Sequence, residues 1–384
     1  MFSYIVWDVN PRIFSINGWG PVWYGLLFAS GFLIGQFIMF YIFKKDNKPE
    51  KDVEILTIYV VVATIIGARL GHVIFYQPEY YFSAEHWVDI FKIWEGGLAS
   101  HGATVTILLA LWLYSRNRAG QSFFWIVDRL VITVAVGGAL IRMGNLMNSE
   151  IYGKPTDVPW AFVYALPEGV EDNLLEEYKS ISNIDAEKIS GDTLINIQIP
   201  GSLITNPVKH QKIRYHLTFN KSITNKQEGL IYTANTLLPN FTNFNSIKEN
   251  VTLAGKDVNL LANQSPKGVE VSFDAWGITR HPSQIYEALF CVFLFALTFW
   301  MWDKKRHILP EGVISAVFII LLFVFRFLIE FIKKEQVDIE IGKDINIGQW
   351  LSVPAVIFGI LILILAYRNA KSKPVSENTY KTLK

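Results

Sequence analysis

A single cysteine in 384 residues, Cys291, excludes any disulfide within the chain and any zinc site built on several thiolates. It lies inside an apolar run and reads as a small packing residue rather than a nucleophile. Charge of one sign is lacking too. The 35 Lys and Arg against 34 Asp and Glu leave a net +1, so nothing argues for a nucleic-acid partner. A cleavable signal is not evident: only Arg12 precedes the first apolar run. That run is followed by Lys44 and Lys45 instead of a small-residue cleavage site, so it is expected to be a retained span. No internal repeat is found.

Apolar residues are what the chain has in excess. It is 51% hydrophobic and 14% aromatic, with a mean hydropathy of +0.28, and the excess sits in discrete runs. A bilayer core takes roughly 20 apolar residues per helix, and seven runs qualify: 22–43, 53–76, 98–114, 123–143, 283–302, 312–332 and 350–367. Lysine and arginine collect in alternate loops, at Lys44 to Lys51, Arg116 and Arg118, Lys304 to Arg306, and in the tail from Arg368. By the positive-inside rule these loops are cytoplasmic, which places the N-terminus outside and the C-terminus inside. Between spans four and five lies a long polar segment, outside by the same rule. Within it, β-branched or alternating stretches at 193–199, 212–219, 229–237, 250–253 and 268–273 are separated by turn residues, and an acidic helical piece is expected near 171–180. The segment shows no metal-ligand spacing, glycine-rich phosphate loop or triad pattern. The expected fold is an all-α polytopic membrane protein of seven transmembrane helices, with a β-rich periplasmic insertion between helices four and five. Its segments are 1–165, 166–277 and 278–384.

The stretch 137–155, GGALIRMGNLMNSEIYGKP, is the centre of the chain's chemistry. Arg142, Asn145 and Asn148 recur at three-residue spacing and share a helix face. Glu150, Tyr152 and Gly153 follow where the helix should break. An arginine and two amides at a membrane-helix terminus suit an anionic partner, because an ionisable group at that depth is costly without one. Tyr24, Arg69, His72, His101, Gln284, Tyr286, Glu287, Arg326, Glu330 and Gln349 all fall toward the same outer ends of their spans. Asp128 and Arg129, at an inner end, are the main exception. A transporter would gather its polar groups near the midplane between repeated halves. A one-sided cluster with three arginines, Arg69, Arg142 and Arg326, points instead to chemistry on a phospholipid headgroup, which guanidinium forks hold bidentately. A lipid or solute transporter and a membrane-anchored periplasmic interaction protein are the competing classes.

The stretch IRMGNLMNSEIYGKP resembles the signature of the prolipoprotein diacylglyceryl transferase family. Further resemblances follow in order: VWYG at 22–25, GARLGHVIFY at 67–76, WEGGLASHGA at 94–103, VDRL at 127–130, RHPSQIYEA at 280–288, FRFLIEF at 325–331 and NIGQWLSVP at 346–354. The resemblance implies a seven-span bacterial inner-membrane enzyme with a periplasmic site. Such an enzyme moves the diacylglyceryl group of phosphatidylglycerol onto the lipobox cysteine in the signal peptide of a prolipoprotein and releases glycerol phosphate. The implied partners are phosphatidylglycerol, the prolipoprotein and the lipid bilayer; no metal or organic cofactor is implied. By matched position it marks Tyr24, His101, Asp128, Arg142, Asn145, Glu150, Gly153, Arg326 and Glu330. The chain departs from the pattern at Val22, Ala103, Ser149 and Leu322, where histidine, glycine, glycine and tyrosine are usual. Arg142 and Arg326 are expected to carry the departing phosphate, with Asn145 as an oriented donor. His101 is the expected general base, with Glu150, or the field of the arginines acting alone on the thiol, as the alternatives. Tyr24, Arg69, Gly153, Glu330 and Asp128 are expected around the substrate.

Overall fold

The computed structural model describes residues 4–14, 20–83, 85–93, 97, 99–167, 169–198, 205–253, 258–334 and 345–372. In chain order the helices are α1 (Trp23–Lys45), α2 (Glu50–Phe75), α3 (Pro78–Tyr81), α4 (Ser100–Arg116), α5 (Phe123–Met147), α6 (Val170–Glu177), α7 (Lys226–Tyr232), α8 (Leu238–Phe241), α9 (Asn245–Lys248), α10 (Ser283–Lys305), α11 (Val313–Ile329) and α12 (Ile347–Ser372). The strands are β1 (Ile5–Trp7), β2 (Phe162–Tyr164), β3 (Ile181–Gln198), β4 (Thr205–Phe219), β5 (Val251–Leu253), β6 (Leu260–Ser265) and β7 (Gly268–Ile278).

Each of the seven expected spans coincides with a helix. Five of these helices, α1, α2, α5, α10 and α12, are long and apolar enough to cross a membrane. They leave Leu33, Phe37, Ile58, Phe358 and many other large apolar side chains exposed, which a protein in water does not tolerate over so wide a surface. This is a multi-pass membrane protein. The other two, α4 and α11, have 17 residues each, about 26 Å at 1.5 Å per residue. α11 ends earlier than the expected 312–332 because its final turn tightens: the Ile332 amide donates to the Ile329 carbonyl at 3.0 Å. The backbone is thereby free to pair Lys333 with Gly153.

The chain forms two compact units. The first comprises Met1–Ala29, Gly138–Phe290 and Val324–Val353. Its sheet runs β3-β4-β7-β5, with β6 also on β7, all antiparallel. β7 alternates buried and half-buried residues along its length, as a sheet with one packed face requires. Ile213, Tyr215, Leu217, Phe219, Val271 and Phe273 fill that face under α6 to α9, and the core reaches back to Val163 and Ala165 beside β1 and β2. Of the expected strands, 212–219, 250–253 and 268–273 lie in or against strands, as does 193–198, with Ile199 outside the described residues. The stretch 229–237 is helical instead: α7 passes into a π-turn at Thr233–Leu237. Asn225 caps it by accepting from the Glu228 amide at 2.9 Å, while Glu228 Oε2 accepts from the Thr224 amide at 3.0 Å. That cap, with Glu228 reaching back to the residue before Asn225, nucleates a helix and overrides the β-branched composition.

The second unit comprises Ser30–Gly137, Cys291–Phe323 and Pro354–Lys384. In it α2 and α4 touch through glycines. A Cβ on Gly67 would come within 2.7 Å of the Gly102 carbonyl oxygen, and one on Gly71 within 2.8 Å of the Gly102 Cα. Thr106 Oγ1 donates across this seam to the Ala63 carbonyl at 2.7 Å. Small residues that let backbones approach are the usual way apolar helices associate without a hydrophobic driving force.

Candidate functional site

The signature folds as the C-terminal turn of α5 followed by a strained loop. Arg142 Nη1 donates to Asn145 Oδ1 at 3.2 Å, and Asn145 Nδ2 donates to Glu150 Oε1 at 2.7 Å. Asn148 Nδ2 reaches the same oxygen at 3.3 Å. A guanidinium on one side and a carboxylate on the other fix the orientation of the Asn145 amide, since the reverse flip would set donor against donor. The helix closes with the Ser149 amide on the Leu146 carbonyl and the Glu150 amide on the Asn145 carbonyl, both at 3.0 Å. Ser149 and Ile151 then take φ of +53° and +58°. The left-handed region costs an L-residue roughly 1–2 kcal/mol, and a β-branched residue there persists only when its surroundings over-determine it.

Those surroundings account for every carbonyl from Glu150 to Gly153. Gln284 Nε2 donates to the Glu150 carbonyl at 2.6 Å and Ser283 Oγ to that of Ile151 at 2.7 Å. The Lys334 amide donates to the Tyr152 carbonyl at 3.2 Å, and Arg280 Nη1 to the Gly153 carbonyl at 3.3 Å. The Gly153 amide returns a bond to the His281 carbonyl at 2.9 Å. Gly153 must be glycine for this: a Cβ would lie 2.5 Å from the His281 Cβ and 2.8 Å from the Ile332 oxygen. His281, just before α10, has its imidazole pushed below its ordinary pKa by burial, with Asp157 opposing the shift.

A second arrangement links α5, α10 and α11 by charge. Arg142 Nε pairs with Glu287 Oε2 at 3.1 Å, and Glu287 with the buried Lys333 ammonium at 3.6 Å. Lys333 pairs in turn with Glu330 at 3.5 Å, and Glu330 with Arg326 Nε at 3.9 Å. Three cations thus face two carboxylates along one path. Phe290 and Phe325 stack with ring centroids 3.9 Å apart, which holds Glu287 opposite the last turns of α11. Glu330 lies over the start of α12, where a Cβ on Gly348 would meet its Oε1 at 2.7 Å. Asn346 donates to Glu330 Oε2 at 3.0 Å. Asn346 and Gln349 also form the reciprocal cap of α12, at 2.8 and 3.1 Å. Among the described residues, the Nη groups of Arg326 and the Nη2 of Arg142 have no protein acceptor. A guanidinium anchored through Nε with an open fork is suited to a phosphate.

The first unit therefore brings Tyr24, Arg142, Asn145, Glu150, Gly153, Arg326 and Glu330 into one body. Tyr24 packs on Gly144, where a Cβ would meet its ring at 2.8 Å. The other three expected residues belong to the second unit. Arg69 is buried, with its guanidinium donating to the carbonyls of Ile90 at 2.8 Å, Gly97 at 3.3 Å and Asp89, over the Tyr81 ring. His101 is exposed at the start of α4, its ring against Phe75 and Tyr76 at 5.1 and 5.8 Å. Asp128 is buried and accepts from the amides of Gly312 at 2.7 Å and Ser315 at 2.8 Å, the geometry of a carboxylate capping α11. Sequence reasoning named Glu287 only as the opening of a span and passed over Lys333 and Arg280. Lys333 stands three residues after Glu330, the spacing at which helical side chains meet; that signal was present.

Comparisons with known proteins agree over nearly the whole chain. The family described as prolipoprotein diacylglyceryl transferase matches residues 11–365. The phosphatidylglycerol–prolipoprotein diacylglyceryl transferase of Chloroherpeton thalassium is 33% identical over 382 residues, 97% of this chain and 98% of that one. The protein of the same name from Porphyromonas gingivalis is 33% identical over 380 residues, 97% and 99% of the two chains. That from Tolumonas auensis is 30% identical over 364 residues, covering 94% and 97%.

Proposed function

Because the chain belongs to the prolipoprotein diacylglyceryl transferase family, we propose that it transfers the diacylglyceryl group of phosphatidylglycerol to the lipobox cysteine of prolipoproteins. The sulfur forms a thioether with the glyceryl carbon that carried the phosphate ester, the carbon–oxygen bond breaks, and glycerol phosphate leaves. The observation that carries this reading is the pair of arginines beside carboxylates in the same unit as the signature: Arg142 with Nη2 left over, and Arg326 with both Nη groups left over.

Two barriers must be lowered. The departing phosphate needs positive charge already in place. Arg142 and Arg326 supply it, Arg142 positioned by Glu287 and Asn145 and Arg326 beside Glu330. Asn145, oriented between Arg142 and Glu150, adds a fixed dipole. The thiol, with a free pKa of about 8.5, must lose its proton, since the thiolate is the nucleophile. His101 takes that proton in the first reading: its imidazole is exposed and can accept one. A second reading rests on Glu150, whose Oε1 accepts two amides while Oε2 has no hydrogen-bond partner among the described residues. Tyr24 lines the same end of α5. Gly153 and Asp128 serve the substrate indirectly, by the close approach and the helix cap they provide, and Arg69 by tying down the loop after α2.

The chain crosses the bacterial inner membrane seven times in this reading, with α4 and α11 as the short spans. The N-terminus and the sheet-bearing insert are periplasmic and the C-terminus cytoplasmic, in line with the lysine and arginine bias of the loops. The test is mass spectrometry of a lipobox peptide incubated with the protein and phosphatidylglycerol vesicles. A diacylglyceryl mass gain on cysteine, lost when cysteine is replaced by serine in the peptide, is the expected result. An unmodified peptide from folded protein overturns the proposal.

A further inference from the structure

We propose that Asn250, a residue of the sheet-bearing insert, is a positioning residue for the reaction: it clasps the signature loop and sets where Glu150 stands. The proposal rests on the transferase reading above and adds to it a role for the insert.

Asn250 is 1% exposed and stands between α9 and β5. Its backbone is built into the insert, with its amide on the Ile247 carbonyl at 2.9 Å and its carbonyl accepting from the Ile278 amide at 2.8 Å. Its side chain reaches out of the insert. Nδ2 donates to the Tyr152 hydroxyl at 2.6 Å and to the Ser246 carbonyl at 2.8 Å, and Oδ1 accepts from Arg280 Nε at 2.7 Å. Arg280 in turn carries the Gly153 carbonyl on Nη1 and the Glu249 carbonyl on Nη2, and its guanidinium lies 5.1 Å over the Tyr152 ring. Lys334 covers the same ring at 5.4 Å and pairs with Glu249. Tyr152 stacks on Tyr164 at 4.8 Å. The Tyr164 hydroxyl donates to Gln284 Oε1 at 2.9 Å, and Gln284 holds the Glu150 carbonyl.

One amide therefore grips the C-terminal end of the strained loop. It fixes Tyr152 directly and Gly153 through Arg280, while the left-handed Ile151 between them and Glu150 gives the loop a reason to relax if released. A buried amide with both ends bonded is costly to unmake. A shift of about 1 Å in a catalytic group, even from a change remote from the chemistry, can cost about a hundredfold in rate.

The experiment compares the full-length protein with Asn250→Ala and Asn250→Asp in phosphatidylglycerol vesicles, using a lipobox peptide as acceptor. Alanine removes all three side-chain bonds. Aspartate loses only the bond to the Ser246 carbonyl: it keeps the acceptor for Arg280 and can accept from the Tyr152 hydroxyl, so the clasp on the loop closes with that bond reversed. The expected result for Asn250→Ala is a fall in kcat of about ten- to a hundredfold. KM for phosphatidylglycerol should stay within about twofold, since the arginines that hold the phosphate are untouched. Asn250→Asp should recover most of the lost kcat. Hydrogen exchange supplies a readout independent of catalysis: in Asn250→Ala, amides 150–154 should exchange faster, while those of β4 and β7 stay unchanged. Wild-type protein that leaves the peptide unmodified overturns the transferase reading, and the exchange data still decide the clasp. Unchanged kcat with unchanged exchange at 150–154 overturns the positioning role. So does loss of protection across the whole sheet, which would make Asn250 a general stabiliser.

Discussion

Arg142 commits Nε to Glu287 and Nη1 to Asn145, two acceptors in different directions that only a planar fork can satisfy together. Lysine has the charge without the fork. Arg142→Lys should therefore lose activity by more than about tenfold while the protein remains folded, as read by peptide modification and by the melting temperature in detergent. The two candidate bases separate by their pH–rate profiles. If His101 takes the thiol proton, His101→Asn should remove the acidic limb of the profile and Glu150→Gln should leave it; the converse assigns the base to Glu150. A residue outside the chemistry gives a pH test of stability. Glu171 in α6 is pushed up to about 7, chiefly by burial and then by Asp172 and Asp185, with Arg12 opposing. An acid raised in the folded state binds more protons there than when unfolded. Its cost is therefore present above pH 7 and disappears as pH falls through 7 toward 4.5. Glu171→Gln should raise the melting temperature at pH 8 and have little effect at pH 5.

At the scale of the element, the termini of α5 and α11 show how helix ends are used. α5 stops on Ser149 with φ +53° and a hydroxyl that is buried without a hydrogen-bond partner. Glycine suits both the dihedral and the space. Ser149→Gly should stabilise the protein by about 1 kcal/mol in thermal unfolding, and it restores the residue usual in the family. α11 begins on Asp128, whose two oxygens take two of the helix's four orphan amides. Asp128→Ala should cost about 1–2 kcal/mol of stability and lower activity only in proportion to the protein lost. Capping signals of this sort are readable in advance. Asn225 with Glu228 and Asn346 with Gln349 both have the three-residue spacing of a reciprocal cap. The first of them is why 229–237 is helical although its composition suggests a strand.

At the scale of the whole chain, two compact units interleave in sequence, and the site residues of the first come from three separated segments. The proposed topology is checked with a cysteine reporter. In a Cys291→Ala background, Lys221→Cys in the insert should react with a membrane-impermeant maleimide on intact spheroplasts. Lys44→Cys in the last turn of α1 should react only after lysis. The reverse pattern would invert the orientation.

Hydropathy and periodicity, by themselves, located the five helices long and apolar enough to cross a membrane and the two shorter ones, α4 and α11, because a bilayer constrains long stretches of sequence and leaves a signal in composition. They also placed Arg142, Asn145 and Asn148 on one face, since that relation is set by helix geometry alone. Which cations Glu287 anchors was decided by tertiary structure: it meets Arg142 and Lys333 only because the end of α5, the start of α10 and the residues after α11 come together in the first unit, and no local spacing encodes that. The same holds for Gly153, where glycine is required by the backbones of His281 and Ile332. It holds for Asn250, which lies about a hundred residues along the chain from the tyrosine it grips.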